Sequence, residues 1–157
     1  MKYLIHPLAI CTLSLCGWGQ DLQRQLPESY IALLRSETQV QKTDIVQQNI
    51  TLSEDQAKKF WPMQRSYEND LSKLDDLRLD VIRDYAKNWD NLSDATARNL
   101  GKRLLDYDKK RVDLRSKYFD RISKEVSPMI AAKFFQIDLQ LEDIIDLGIA
   151  SSVPLIK

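Results

Sequence analysis

Four glycines and five prolines in 157 residues are too few for the tight turns of a sheet protein, and an all-α chain is expected. Cysteine occurs twice, at Cys11 and Cys16, and histidine once, at His6. All three precede residue 20, so the rest of the chain has no disulfide, no thiol nucleophile, no imidazole base and none of the usual zinc ligands. Charge of one sign is missing too. Lys and Arg number 23 against 23 Asp and Glu, for a formal net charge of zero. That balance supplies no bulk pull towards nucleic acid or anionic membrane. The longest mostly apolar stretch, Tyr3 to Cys16, falls short of the roughly 20 residues a bilayer span needs.

That stretch sits behind Lys2 and is followed by Gly17-Trp18-Gly19, with small residues where a signal peptidase acts. Residues 1–19 therefore read as a secretory signal peptide, which implies an exported, periplasmic protein. Leu13-Ser14-Leu15-Cys16 approaches a lipobox but has Leu15 where a small residue is required. His6 and Pro7 interrupt the apolar run, and an uncleaved anchor stays open. Cleavage would leave residues 20–157 as a single helical domain with no stable membrane span.

Four helices are expected there, at about 28–48, 54–89, 94–126 and 128–147, the last fading near Gly148. Ser53 and Gln56 form a capping box, Ser93 caps the third helix ahead of Asp94, and Ser127 precedes a proline at the first position of the fourth. In the second helix Phe60, Tyr67, Leu74 and Val81 repeat every seven residues, flanked by Leu71 and Tyr85. In the third, Leu105, Val112, Phe119 and Val126 form one line and Leu100, Tyr107 and Leu114 another. Such spacing predicts long helices packed lengthwise, in an elongated hairpin with flanking helices. Pro62 lies inside the second helix, where it removes a backbone bond to Lys58, and a kink is expected. A shift of forty residues aligns Leu52-Ser53-Glu54-Asp55-Gln56-Ala57 with Leu92-Ser93-Asp94-Ala95-Thr96-Ala97. Two similarly capped helices explain this weak repeat.

The Leu-Ser-x-x-Gln opening of a long helix, Leu52-Ser53 to Gln56, with its degenerate copy Leu92-Ser93 to Thr96, resembles the LTxxQ-motif proteins of the Spy/CpxP-like periplasmic group. Phe60-Trp61-Pro62 and the Pro154-Leu155-Ile156 end are similar to a less characterised branch of that group. Thr96 stands in place of the second Gln, so half of that capping box is lost. The resemblance implies a cradle-shaped antiparallel homodimer that binds proteins without ATP, either unfolded clients or an envelope sensor. Residues 20–157, without Cys, His or an excess of either charge, predict no catalysis, no cofactor and no nucleic-acid partner. A metal-responsive envelope protein and a structural adaptor with one fixed partner are the rival readings.

Several charges are candidate sites. Arg103, Lys110, Lys117 and Lys124 form a basic stripe, but Asp106, Asp113 and Asp120 each precede a lysine by four residues. That spacing favours helix-stabilising pairs on a solvated face. By seven-residue phase Asp108, Arg111 and Arg115 fall among Tyr107, Leu114 and Tyr118, and Arg78 falls between Leu71 and Tyr85. Such charges are either paired between helices, with Asp108 bonded to an arginine, or exposed on an amphiphilic client surface. Phe60 and Trp61 read as core and kink-packing residues. Carboxylates such as Asp75-Asp76 and Glu142-Asp143 show no converging set for a cation or for glycoside chemistry. Residues 94–126 carry ten Lys or Arg against six Asp or Glu, so the third helix should prefer acidic neighbours. Apolar seams left open by two long helices argue for a dimer.

Overall fold

The computed structural model describes residues 38–156, and all of its regular structure is helical. The expected signal peptide and residues 28–37 of the first expected helix lie outside the described residues. Helix α1 spans Thr38–Asn49, α2 Glu54–Asn88, α3 Asp94–Glu125 and α4 Pro128–Ser152, with a single 3-10 turn at Trp89–Asn91.

Local chemistry sets each start. The Ser53 hydroxyl accepts from the Gln56 amide at 3.3 Å while the Gln56 side chain accepts from the Ser53 amide at 3.0 Å. Two N–H groups that would otherwise lack partners are thereby satisfied. Ser93 accepts from the Thr96 amide at 3.2 Å, but the Thr96 hydroxyl meets only the Ser93 hydroxyl. Half of the second box is present, as the substitution of Gln by Thr dictates. Ser127 caps α4 from the Ile130 amide at 3.2 Å, with Pro128 in the first turn.

Helix α2 is 35 residues long, about 52 Å at 1.5 Å per residue, and is unbroken across Pro62. Pro62 and Lys58 are both exposed, so water can take the carbonyl that the proline leaves without a donor. Phe60 is fully buried, whereas Trp61 packs at the edge of the core with its ring 5.0 Å from that of Phe60.

The packing places the helices that flank the α2–α3 pair. Helix α4 runs back along both, parallel to α2. Phe134 meets Phe60 and Tyr67 near the α2 start, Asp146 meets Arg78 farther along, and Ile149 joins Leu79 beyond it. Helix α1 adds Val46, and Ile50 just past its end, to the large core at the first end. Helix α4 also continues past Gly148 to Ser152. Among the described residues no glycine adopts positive φ, and burial of Ile149 at 6% exposure carries the helix a further turn. Among the described residues no helix is long and apolar enough to cross a membrane.

The two apolar lines of α3 part company. Leu100 and Tyr107 are buried, at 7% and 2% exposure, but Leu105 and Val112 are 70% and 59% exposed. Phe119 on the same line is 38% exposed and only leans its ring towards Phe135, at 6.1 Å.

Candidate functional site

Between α2, α3 and α4 lies a ladder of charge. Asp138, Glu142 and Asp146 recur every four residues along α4, so they share a face. That face meets Arg111 and Arg115, themselves four apart on α3, and Arg78 on α2. Arg115 pairs with Glu142 and, at 3.7 Å, with Asp138. Arg111 reaches Asp146 at 3.3 Å and Glu142 at 4.0 Å, and Arg78 reaches the other Asp146 oxygen at 2.5 Å. From α1, Lys42 closes the near end on Asp138 at 3.8 Å and Glu68 at 3.9 Å. Asp138 and Glu142 are only 2% and 6% exposed. Their burial is tolerable only because cations and donors surround them.

Three tyrosines tie the ladder to the helix seams. Tyr67 donates to Asp138 at 2.6 Å, Tyr107 to Asp75 at 3.0 Å and Tyr118 to Asp70 at 3.0 Å. Burial, then the Asp138 carboxylate, pushes the Tyr67 hydroxyl far up, so it stays a donor. Arg78 and Arg111 both lie over the Tyr107 ring, at 5.5 and 5.4 Å from its centre, where the π face attracts them.

These contacts decide between the two readings of the charges on the apolar side. Arg78, Arg111, Arg115, Tyr107 and Tyr118 come together, but inside. Tyr107 and Tyr118 are 2% and 3% exposed, and α4 covers the face they would offer a client. Asp108 is not among them: it is exposed, and among the described residues no ion pair involves it. Helix α4, which covers this seam, carries Lys133 near its start as its one Lys or Arg, so an acid at Asp108 finds no cation there. The true acidic partners sit on α4. Their four-residue spacing on an otherwise apolar helix was the available signal.

The basic stripe also sorts differently from its pattern. Lys110 pairs with Asp106 at 2.6 Å. Lys117 instead turns to Asp70 at 3.8 Å and lies over the Tyr118 ring, and Arg103 pairs with Asp84 on α2. Helix α3 thus finds acidic neighbours on both packed helices, as its surplus of cations requires. Among the described residues no group of three His, Cys, Asp or Glu side chains is placed to hold a metal ion.

The ladder makes stability depend on pH in two opposed ways. Burial raises Glu68, against the pull of Lys42, and burial also raises Asp75, against its bond from Tyr107. Asp70 is lowered by bonds from Lys73 and Tyr118. At Asp146 burial raises the carboxyl, but the Arg78 bond and the Arg78 and Arg111 charges outweigh it and hold it low. A raised folded value gives stability that is complete below the unfolded value and fades as pH rises through the folded one. A lowered value gives stability that is lost as pH falls through the folded one. Acidification from neutral should therefore first raise the melting temperature, as Glu68 and Asp75 take up protons. Below about pH 4 it should fall, as Asp70 and Asp146 lose their charge. Thermal melts from pH 3 to 8 test this, and Glu68→Gln should flatten the initial rise. A melting temperature that declines steadily from pH 7 downward would show that burial does not raise the Glu68 and Asp75 carboxyls.

No family model, no curated protein and no solved structure matches this chain.

Proposed function

We propose that this chain is a non-catalytic, protein-binding helical module of the bacterial envelope, of the Spy/CpxP type, acting as a homodimer. In that role it serves as an ATP-independent chaperone or an envelope-stress modulator. The reading rests on the apolar line Leu105, Val112 and Phe119, which the fold leaves outside although its spacing is that of a helix seam. A buried Arg–carboxylate ladder turns the chemistry of the inner face inward, so recognition falls to the outer face of α3.

That face complements itself. An antiparallel two-fold pairing centred on Val112 sets Leu105 against Phe119 across the axis. Protein partners then meet the apolar side chains left open on α4, such as Ile144 at 68% and Leu147 at 71% exposure.

Sedimentation velocity of the protein should show a dimer. Val112→Lys should weaken self-association at least tenfold, about 1.4 kcal/mol, with unchanged helix content, because the site is open in the monomer. In light-scattering assays the dimer should slow the aggregation of several unrelated unfolded proteins. Indifference to all of them would remove the chaperone role and favour an adaptor with one fixed partner. A monomer at all concentrations would remove the dimer. Photo-crosslinkers belong at Ile144 and Leu147, since Tyr107 and Arg111 lie inside.

A further inference from the structure

At the far end of the bundle an apolar space of about 420 Å³ opens between the end of α2, the start of α3, the end of α4 and the segment that follows it. Its walls are aliphatic: Ile82 from α2, Leu100 and Leu104 from α3, Ile149 from α4 and Val153 from the segment after it. The volume is in the range of small-molecule sites. Two polar side chains touch it, and both are engaged. Arg78 is held by Asp146 at 2.5 Å, and the Tyr85 hydroxyl donates to the Pro154 carbonyl at 2.9 Å.

Gly101 makes this more than an imperfect fit. It sits inside α3, without positive φ, and a Cβ added there would meet nothing within 4 Å. Neither backbone geometry nor close packing calls for glycine at this position, and an interior helical glycine works against the helix. The room it leaves belongs to the pocket, which Ala97 on the preceding turn and Ala150 on α4 widen further.

From these walls we infer that the pocket binds the hydrocarbon chain of a single-chain amphiphile, such as a fatty acid, with the head group left in water. A polar group taken inside would lose its hydration and find no free partner. The same reasoning disfavours a peptide, whose backbone N–H and C=O groups need partners at every residue; an alkyl chain has none to satisfy. The site is separate from the α3 seam and does not depend on the dimer.

The test titrates the purified protein with dodecanoate and with uncharged 1-decanol, each below its aggregation concentration, and follows methyl resonances of Leu, Ile and Val. Saturable one-to-one binding of both is expected, with shifts confined to the far end. Gly101→Leu should fill the space and weaken binding at least tenfold without lowering the melting temperature. Ala150→Leu should do the same from the opposite wall, and Leu139→Ser, on α4 away from the pocket, should change nothing. Failure of the wild type to saturate, or undiminished binding in both filled variants, would overturn the inference. So would binding of dodecanoate alone, which would mean recognition of its charge. Preference for a leucine-rich peptide, lost in Gly101→Leu, would instead make the space a protein-docking groove.

Discussion

Replacing Arg115 with methionine is expected to lower the unfolding free energy by about 3–5 kcal/mol, the cost of leaving one member of a buried ion pair without its partner. The guanidinium side chain is 16% exposed and bridges Glu142 and Asp138, whose side chains are 8% and 2% exposed. Without it Glu142 keeps only Arg111, at 4.0 Å, while Asp138 keeps Lys42 and the Tyr67 hydroxyl. Glu142 thus bears most of the damage. Removing the stranded acid as well should restore most of the loss, because well-packed apolar groups can replace a buried pair at little cost. Arg115→Met with Glu142→Leu should therefore be more stable than Arg115→Met alone. Guanidinium denaturation of the wild type, both single variants and the double variant measures the coupling. Additive losses would mean that the two charges do not depend on each other, and the ladder would then be an incidental arrangement.

The parts of this fold that could be read in the sequence are those whose physics is local. Ser53, Ser93 and Ser127 each complete a cap within four residues, so α2, α3 and α4 begin where the pattern placed them. The α2 line through Phe60, Tyr67 and Val81 likewise lies in the interior. What was hidden depends on a third helix. Helix α3 carries two apolar lines, and which one turns inward is decided by partners: Tyr107 finds Asp75, and Arg111 and Arg115 find α4. The i,i+4 lysine pattern was similarly overruled at Lys117, because Asp70 comes within reach only once the hairpin closes.

Helix α4 buries two acids beside its apolar residues. Asp138 and Glu142 are inside while Ile144 and Leu147 are out, so a hydropathy pattern read by itself assigns its faces wrongly. An apolar helix with buried acids needs a matching basic helix. The surplus of cations between residues 94 and 126 was the half of that match visible in the sequence. The acids spaced four apart on α4 were the other half, and neither half specifies its partner without the other.

Phe134→Ala should have an effect as large as that of Arg115→Met, about 3–5 kcal/mol, but by a different mechanism and with a different pattern. Phe134 is 1% exposed, and its ring meets Phe60, Tyr67 and Phe135 edge to face, with centres 5.4, 5.7 and 4.8 Å away. Truncation removes the transfer energy of the ring, forfeits three aromatic contacts and opens a cavity among rigid neighbours that cannot collapse fully. The same cluster holds Val46 and Ile50, the buried apolar side chains by which α1 and the residue after it enter the core. Loss of Phe134 should therefore loosen α1 before the bundle itself. Hydrogen exchange should show amides of α1 losing protection at denaturant concentrations where those of α2 and α3 retain it. Leu147→Ala, on the same helix but 71% exposed, should stay within about 0.5 kcal/mol of the wild type. If the Phe134 variant lost protection uniformly across all four helices, α1 would be an integral part of the bundle rather than an element docked on its aromatic end.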